Sequence, residues 1–276
     1  MILREDIRQI AKQLIIAKEH VQIVAQPSKK FEGFDLQDGY HVGVELQKYR
    51  EEQGFKPIGR KIGFTNRDTW KEFNLNTPIW APVYDKTVIY ADRNFLTLPL
   101  REMVAPRIEP EIVFKLRKSV IGNDYADSID KLLGLIEWVA IGFEIVDCHF
   151  PNWEFSAADA IADFGVHAML VIGAQRELAG KNYDFRKDQL CTFEAVLRKD
   201  QNVVAVGRGE NALGSPLIAL NYLVKVLSQQ DWAEPIQAGE VVTTGTLTPL
   251  PYIYPRENWC VEPIGIDLEA LELRFS

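Results

Sequence analysis

Residues 106–114 read Pro-Arg-Ile-Glu-Pro-Glu-Ile-Val-Phe, so two carboxylates stand at the head of an apolar run that is typical of a β-strand. Alternate residues of a strand share a face, which predicts that Glu109 and Glu111 point the same way. Two carboxylates this close in a dry setting cannot both stay charged unless a cation lies between them. Without histidine or cysteine, such ligands suit a hard ion such as Mg²⁺, Mn²⁺ or Ca²⁺. An edge strand with a solvated acidic face is the alternative interpretation.

A third carboxylate, Glu144, interrupts the apolar run of residues 139–146. A buried carboxylate needs a partner, so Glu144 is a candidate third ligand for the same ion. Pro110 removes a backbone donor from the first strand, which predicts that this strand runs at a sheet edge or through a bulge. Together the three carboxylates predict one divalent-ion site.

Five stretches, taken in order, resemble the fumarylacetoacetate hydrolase superfamily, and within it the branch of 2-oxo-pentenoate hydratases and oxalocrotonate decarboxylases. They are residues 59–65, 107–114, 142–147, 211–217 and 239–246. The resemblance covers most of the chain and depends on the order and spacing of all five stretches. It implies a rolled mixed sheet, an Mg²⁺ or Mn²⁺ ion held by Glu109, Glu111 and Glu144, and an active-site lysine at Lys61.

The composition is that of a globular protein, with 47% hydrophobic and 25% charged residues over 276 positions. A net charge of -8 disfavours nucleic acid or an anionic membrane as the main partner. The three cysteines are odd in number and widely spaced, which argues against a disulfide framework or a zinc site and favours a reduced, cytoplasmic setting. The first residues show no signal-peptide pattern, and no apolar run approaches the roughly 20 residues of a membrane-spanning helix.

The spacing of apolar residues predicts a helical amino-terminal segment over 1–55 and a β-rich catalytic domain over 56–276. Within the first segment, one helix is predicted over about 4–24, and another begins at Asp35 and ends near Gly54. From residue 56 onward, strands outnumber helices and do not alternate with them regularly. We therefore predict an α+β fold with a β-rich core.

Three later elements are also predicted. Ser128 is a candidate cap for a helix that carries Ile129, Leu132, Leu133 and Ile136 on one face. Residues 193–198 and 203–206 flank a turn and predict a hairpin. Ser215 followed by Pro216 predicts a helix start.

Lys61 stands among isoleucines and glycines of a predicted strand, so partial burial and a depressed pKa are expected. A solvated strand lysine is the alternative. No histidine stands at a ligand-like spacing from an acid, but His167 follows two aspartates and is the candidate to reach the substrate pocket. Thr244 and Thr246 offer hydroxyls to the substrate. Arg107 is expected to balance the charge of the nearby acids.

The resemblance implies a lyase that works through a metal-stabilised enolate. The lyase would be a hydratase or a decarboxylase of a small 2-oxo-alkenoate. Lys61 is the candidate for proton transfer, or for holding the substrate carboxylate. Hydratases of this branch carry an acid just after the proline matched by Pro78 and polar residues in the segment matched by 163–166. This chain has Ile79 and Phe164 instead, which weakens the hydratase interpretation.

Two other functions stay open, an acylpyruvate-type C–C hydrolase and a metal-binding member of the family without chemistry. The expected partner is a small-molecule 2-oxo acid, with neither nucleic acid nor membrane. A homo-oligomer is expected as well, because the apolar face of the first helix must be covered and because proteins of this family assemble.

Overall fold

The computed structural model of the chain describes residues 2–121, 129–178 and 187–276. Its helices are α1 (Arg4–Glu19), α2 (Pro27–Lys30), α3 (Leu36–Glu52), α4 (Ile129–Leu133), α5 (Ala157–Ala162), α6 (Gln189–Thr192) and α7 (Pro216–Ser228). Its strands are β1 (Pro57–Gly63), β2 (Ile79–Tyr84), β3 (Val88–Tyr90), β4 (Phe95–Leu98), β5 (Arg107–Leu116), β6 (Ile136–Val146), β7 (His167–Ile172), β8 (Arg176–Glu177), β9 (Glu194–Lys199), β10 (Asn202–Arg208), β11 (Val241–Thr243), β12 (Asn258–Ile264) and β13 (Leu271–Phe275). The α+β prediction with a β-rich core is confirmed.

The strands form two mixed sheets. The larger has eight strands in the order β2-β1-β11-β5-β6-β7-β3, with β8 paired to β6. The smaller has five strands in the order β10-β9-β12-β13-β4. Parallel pairs (β1 with β11, β3 with β7) occur among antiparallel ones, as a mixed sheet requires.

The two faces of the larger sheet differ in chemistry because side chains alternate along each strand. On one face Ile108, Ile112 and Phe114 of β5 join the main core, which also takes in the apolar face of α7. On the other face Val113 joins a smaller apolar cluster. Glu109 and Glu111 share the parity of Val113, so β5 presents them on this second face.

The amino-terminal helices pack on the chain itself. The apolar face of α1, with Ile7, Ile10 and Leu14, is buried in a cluster that also contains residues of α3 and α5. The face is covered, as expected, but by α3 and its neighbours in the same chain, so it gives no support to the expected homo-oligomer. The division of the chain into a segment 1–55 and a domain 56–276 stays a prediction.

Several predicted elements match the structure closely. α3 begins where predicted, at Asp35, in a capping box in which Asp35 and Asp38 each accept a hydrogen bond from the backbone N–H of the other. The predicted hairpin is β9 and β10, and α7 starts at Pro216 with the Ser215 hydroxyl accepting from the N–H of Leu217. These signals are local, and the structure confirms each of them.

Three predictions about local structure were wrong. α1 ends at Glu19 rather than near residue 24, because the chain turns at Val21, whose φ is 53°. The helix after position 128 ends at Leu133, and Ile136 begins β6 instead. Ser128, its candidate cap, lies outside the described residues. Pro110, predicted to lie on an edge strand or at a bulge, lies at neither. β5 pairs with β11 on one side and β6 on the other, and its register shift against β6 falls between Lys115 and Leu116.

Pro110 is tolerated in this central strand because of where its backbone points. Its carbonyl accepts from the N–H of Leu247, beyond the end of β11, so the missing proline donor faces a loop and not β6. The ladder to β6 therefore loses no hydrogen bond at Pro110.

Over the residues that the structure describes, no helix combines the length and apolarity that crossing a membrane requires. None of the three cysteines forms a disulfide, and the cytoplasmic setting stays a prediction.

Candidate active site

Three carboxylates meet where β5 and β6 pair. The antiparallel register sets Glu109 opposite Glu144 and Glu111 opposite Gly142. Directly opposed residues share a face, so all three acids project from the same side of the sheet. One oxygen of each lies within 4.8 Å of the others. The sequence prediction that Glu109 and Glu111 point the same way is thus confirmed, and the fold adds Glu144 to them.

In Glu111 and Glu144, hydrogen bonds fix one carboxylate oxygen and leave the other oxygen without a hydrogen-bond partner among the described residues. Oε2 of Glu111 accepts from the N–H of Gly245 (2.7 Å) and from the Thr243 hydroxyl. Oε1 of Glu144 lies 2.8 Å from Nδ1 of His167. The remaining oxygens, Oε1 of Glu111 and Oε2 of Glu144, are buried and have no hydrogen-bond partner within the described ranges.

This donor set fits a hard divalent cation. A buried carboxylate oxygen without a hydrogen bond is costly, and metal coordination is one of the few ways to compensate for that cost. Carboxylate oxygens without nitrogen or sulfur ligands suit Mg²⁺, Mn²⁺ or Ca²⁺. Glu109, Glu111 and Glu144 are therefore the residues that would hold such an ion.

The three carboxylates lie so close together that their pKa values are shifted. Burial raises the pKa of Glu109 to about 7, and burial together with the nearby Glu144 raises the pKa of Glu111 well above its ordinary value. Burial would also raise the pKa of Glu144, but Lys61 and His167 outweigh it and hold that pKa below its ordinary value. Without an ion, the cluster thus holds protons that a bound cation would displace.

Lys61 reaches this cluster from β1. It is 3% exposed, its Nζ donates to the carbonyl of Gly165 (3.0 Å), and the same Nζ lies 3.5 Å from Oε2 of Glu144. Partial burial was predicted and the burial is almost complete, but the predicted depressed pKa is wrong. Burial does lower the pKa of Lys61, yet Glu144, Glu109 and Glu111 together outweigh it and leave the pKa above the ordinary lysine value. Lys61 is an ammonium donor at neutral pH.

A strained turn presents the Gly165 carbonyl to Lys61. Phe164, Gly165 and Val166 have φ values of 55°, 63° and 54°, three consecutive residues in the left-handed region. Such a conformation costs about 1–3 kcal/mol for each non-glycine residue and persists only where the surroundings enforce it. At Gly165 a Cβ would also lie 2.7 Å from Cβ of Ala81.

The surroundings enforce this turn from several sides. Asp163 accepts from both the N–H and Nδ1 of His149, at 3.0 and 2.8 Å, deep in the fold. The cations of Lys18 and Arg50 lie 5.6 and 5.1 Å from the centre of the Phe164 ring. The amino-terminal helices thus contact the turn that holds Lys61.

A cavity of about 710 Å³ opens onto the site. Its wall includes Lys61, Glu109, Glu111 and Thr246. This volume suits a small organic acid, since ligand cavities of several hundred Å³ hold small molecules. Ile79 also lines the wall, so the acid that hydratases of the resembled branch carry at the matching position is replaced here by an aliphatic side chain.

Other predicted substrate contacts lie behind the wall. His167 is buried between Glu144 and Thr87, whose hydroxyl lies 3.1 Å from His167 Nε2, so its placement favours orienting Glu144 over touching the substrate. Thr244 is fully buried and donates to the carbonyl of Ile112. Phe164 faces Lys18 and Arg50 instead of the cavity. A substrate contact of His167 or Thr244 stays a prediction that this placement does not support.

Some supporting residues escaped the sequence analysis. Thr243 pairs in register with Lys61 across β1 and β11, and strand alternation in 241–246 was the signal that could have found it. Gly245 brings its N–H to Glu111 with a φ of 94°, and a Cβ there would lie 2.0 Å from Oγ1 of Thr65. The pairs His167–Glu144 and His149–Asp163 join residues 23 and 14 positions apart, so no sequence spacing signals them.

Known proteins resemble the chain over most of its length. It is 30% identical over 215 residues to 2-hydroxyhexa-2,4-dienoate hydratase of Comamonas testosteroni, covering 78% of this chain and 77% of that protein. It is 23% identical over 272 residues to 4-oxalocrotonate decarboxylase of Pseudomonas putida, covering 99% and 97% of the two chains. No protein-family model matches it.

The fold has a solved counterpart as well. The structure of 4-oxalocrotonate decarboxylase from Pseudomonas putida G7, complexed with magnesium and adipate, superposes with a TM-score of 0.89 at 23% identity and covers 100% of this chain and 99% of that one. An identity of 23% to this solved structure supports the fold alone. Membership of the family is shown by the Comamonas relative, which is 30% identical. The chain belongs to the hydratase and decarboxylase branch of the fumarylacetoacetate hydrolase superfamily.

Proposed function

We propose that this protein is a divalent-metal-dependent lyase that hydrates or decarboxylates a small 2-oxo-alkenoate. The observation that carries the proposal is the convergence of Glu109, Glu111 and Glu144 beside a cavity, with one buried oxygen each of Glu111 and Glu144 that lacks a hydrogen-bond partner among the described residues. The named relatives are hydratases and decarboxylases of such acids, and the structural counterpart holds magnesium. Mg²⁺ and Mn²⁺ are the proposed ions.

The ion, when bound, supplies a Lewis acid that draws electron density from the 2-keto group of the substrate. Glu109, Glu111 and Glu144 would hold it, and His167 keeps Glu144 oriented by donating from Nδ1. In decarboxylation the C–CO₂ bond breaks, its electron pair is delocalised towards the keto oxygen, and the resulting enolate must gain one proton. Lys61 is the donor that we assign to that proton, because its Nζ is held by the Gly165 carbonyl and lies 3.5 Å from Oε2 of Glu144.

Hydration needs a positioned water as well as a proton donor. The described cavity wall offers the hydroxyls of Thr65, Thr246 and Thr248 for a water, but Ile79 supplies no acid. The acylpyruvate hydrolase alternative needs a histidine-carboxylate pair beside the substrate. His167 and Glu144 do form a pair, but His167 lies behind the wall, so we retain the lyase proposal.

A substrate panel tests the proposal. Purified protein with Mg²⁺ or Mn²⁺ is incubated with 2-oxo-4-enoates, with and without a second carboxylate, and with an acylpyruvate, and products are read by mass spectrometry. Addition of water or loss of CO₂, abolished by a chelator and restored by the ion, is the expected result. Hydrolysis of an acylpyruvate instead, or no turnover of any panel member with either ion, would contradict the lyase assignment.

We also infer a homo-oligomer, at least a dimer, as in the family that the sequence resembles. Because the apolar face of α1 is covered within the chain, it does not support an oligomer, and the mass in solution is the deciding measurement. Light scattering at micromolar protein concentration should give at least twice the 31.4 kDa chain mass. A monomer mass would contradict the inference.

A further inference from the structure

Three phenylalanine rings, those of Phe64, Phe73 and Phe155, line one side of the cavity and form a row, here called the phenylalanine row. The rings of Phe64 and Phe73 meet edge to face, with centres 4.5 Å apart and planes at 61°. The ring of Phe155 follows that of Phe73 at 6.0 Å and 35°. All three side chains are only partly buried, so they present aromatic surface to the cavity.

The apolar surface of the cavity starts beside Lys61. Gly63 stands opposite Ile79 in the register of β1 on β2. A Cβ at Gly63 would lie 3.4 Å from Nζ of Lys61 and 3.2 Å from Cγ1 of Ile79, so both side chains border the space over this glycine. Phe64 and Phe155 pack against the buried cluster that contains Ile79. The apolar surface therefore leads from Lys61 over Ile79 to the phenylalanine row.

The backbone at one end of the row is held in an unusual conformation. Phe64 has a φ of 57°, in the left-handed region that a bulky residue rarely adopts. Its carbonyl accepts from the indole N–H of Trp70 at 2.7 Å, and the carbonyl of Thr65 accepts from the N–H of Leu213 at 3.0 Å. Strain of this kind persists only where the surroundings enforce it, and it concentrates at ligand sites. The fold thus keeps the Phe64 ring in the cavity wall at a cost in backbone free energy.

The chemistry of the row selects an uncharged group. Phenylalanine side chains offer neither a charge nor a conventional hydrogen bond. The cation of Arg107, which also lines the cavity, lies instead 4.3 Å from the centre of the Trp153 ring and 4.1 Å from that of Tyr252. A carboxylate or hydroxyl placed against the row would lose water without gaining a partner. The row therefore suits an apolar group.

We infer that the phenylalanine row binds an aromatic ring at the far end of the substrate, and that the substrate class is an aryl-substituted 2-oxo acid. This inference rests on the proposed function, in which the 2-oxo acid end faces Glu109, Glu111 and Glu144. With that end so placed, the reacting carbon lies beside Lys61 and the tail extends over Ile79 to the row.

An aromatic ring fits the row better than other apolar groups do. Aromatic rings prefer edge-to-face and offset contacts with other rings, and a row of three rings offers several of these contacts. The volume also allows it, since the cavity of about 710 Å³ lies well within the range of about 300–1,000 Å³ that holds drug-sized ligands. A ring is thus accommodated in addition to the 2-oxo acid end.

A matched pair of ligands tests the inference. 2-Oxo-4-phenylbutanoate and 2-oxobutanoate share the 2-oxo acid end and differ in a phenyl group at C4. Neither has a double bond to hydrate or a second carboxylate to lose, so binding is measured without turnover. Their Kd values are measured by calorimetry on the Mg²⁺-loaded protein, for wild type, Phe73→Ala and Phe73→Leu. Phe95→Ala, which removes an exposed phenylalanine of β4 outside the cavity, is the control.

Wild type is expected to bind 2-oxo-4-phenylbutanoate about tenfold or more tightly than 2-oxobutanoate, as burial of a phenyl group predicts. Phe73→Ala should reduce this ratio of Kd values about fivefold, because it removes the middle ring of the row. Phe73→Leu keeps an apolar side chain but loses the ring, so its ratio should fall between those two values. Phe95→Ala should keep the wild-type ratio.

Other results overturn the inference. Equal binding of the two ligands by wild type would show that no aromatic tail is recognised. A wild-type ratio in Phe73→Leu would show an apolar contact without preference for a ring, and a wild-type ratio in Phe73→Ala would place the phenyl group elsewhere. Equal weakening of both ligands in both variants would give Phe73 a merely structural role. Failure of both ligands to bind wild type in an Mg²⁺-dependent way would instead overturn the proposed function, and the inference with it.

Discussion

Glu109 of β5 lies directly opposite Glu144 of β6, and both carboxylates project from the same face of the sheet. Like charges set opposite each other across a strand pair destabilise a sheet unless something neutralises them. Here Lys61 contributes one positive charge and the cluster leaves room for an ion. The chemistry proposed for this protein follows from that one cross-strand pair and its neighbour Glu111.

Replacing each of the three acids with glutamine should weaken ion binding. Glu109→Gln, Glu111→Gln and Glu144→Gln each remove one anionic oxygen donor, so Mn²⁺ affinity measured by calorimetry should fall about tenfold or more. Glu137→Gln, on β6 but paired with Lys115 outside the cluster, should bind Mn²⁺ like wild type. Unchanged Mn²⁺ titrations in all three variants would refute the ligand assignment.

Ion affinity should rise with pH between about 5 and 8. The pKa of Glu109 is raised to about 7, so below that pH a proton occupies a ligand and competes with the cation. Calorimetry in buffers of different ionisation enthalpy should detect proton release on Mn²⁺ binding near pH 6.5, and much less in Glu109→Gln. Proton release that is the same in both proteins would count against Glu109 as the titrating group.

The ion-free protein should show the opposite pH dependence in its stability. The pKa of Glu109 is higher in the folded than in the unfolded state, so between about pH 4.5 and pH 7 the folded state binds more protons. The stability that protonated Glu109 contributes is therefore lost as pH rises through that window. His167, with a lowered pKa, acts in the opposite direction, and subtraction removes it. The wild-type free energy of unfolding in urea, minus that of Glu109→Gln, should therefore fall from pH 5 to pH 8. A flat or rising difference would exclude the raised pKa.

Substitution of Lys61 separates proton transfer from substrate binding. If Lys61 donates a proton, Lys61→Ala should lower kcat by about 10²-fold or more. Lys61→Arg keeps the charge but cannot give up a proton near neutral pH, so its kcat should stay low. Lys115→Ala, a lysine of β5 paired with Glu137, is the control. A near-wild-type kcat in Lys61→Arg, with a raised KM in Lys61→Ala, would assign Lys61 to binding only.

Asp163 should act on catalysis through the turn that holds Lys61. Asp163→Asn weakens the bonds from His149 that support the left-handed residues 164–166, so the Gly165 carbonyl should hold Lys61 less firmly. We expect Asp163→Asn to lower kcat about tenfold when Lys61 is present and hardly at all when it is combined with Lys61→Ala. The effects of two substitutions are not additive when the residues act through each other. Asp159→Asn, which loses a helix cap and its bond to Ser28, controls for stability loss alone. Equal effects of Asp163→Asn in both backgrounds would show a merely structural role.

The sequence by itself determined the parts of this protein that are local. Alternation along 106–114 put Glu109 and Glu111 on one face, because side-chain direction in a strand has a period of two whatever lies around it. The capping box at Asp35 and the start of α7 at Ser215 were equally readable, because caps satisfy backbone groups within a few residues. The order of the five stretches that resemble the family predicted the fold class.

The tertiary structure decided what depends on distant neighbours. Only the register of β5 on β6 brings Glu144 to the other acids, and only the crowding of three carboxylates raises the pKa of Lys61 that burial alone would lower. The pairs His167–Glu144 and His149–Asp163 likewise join residues far apart in the chain. Electrostatic shifts and side-chain hydrogen bonds depend on distances through space, and a linear spacing does not contain those distances.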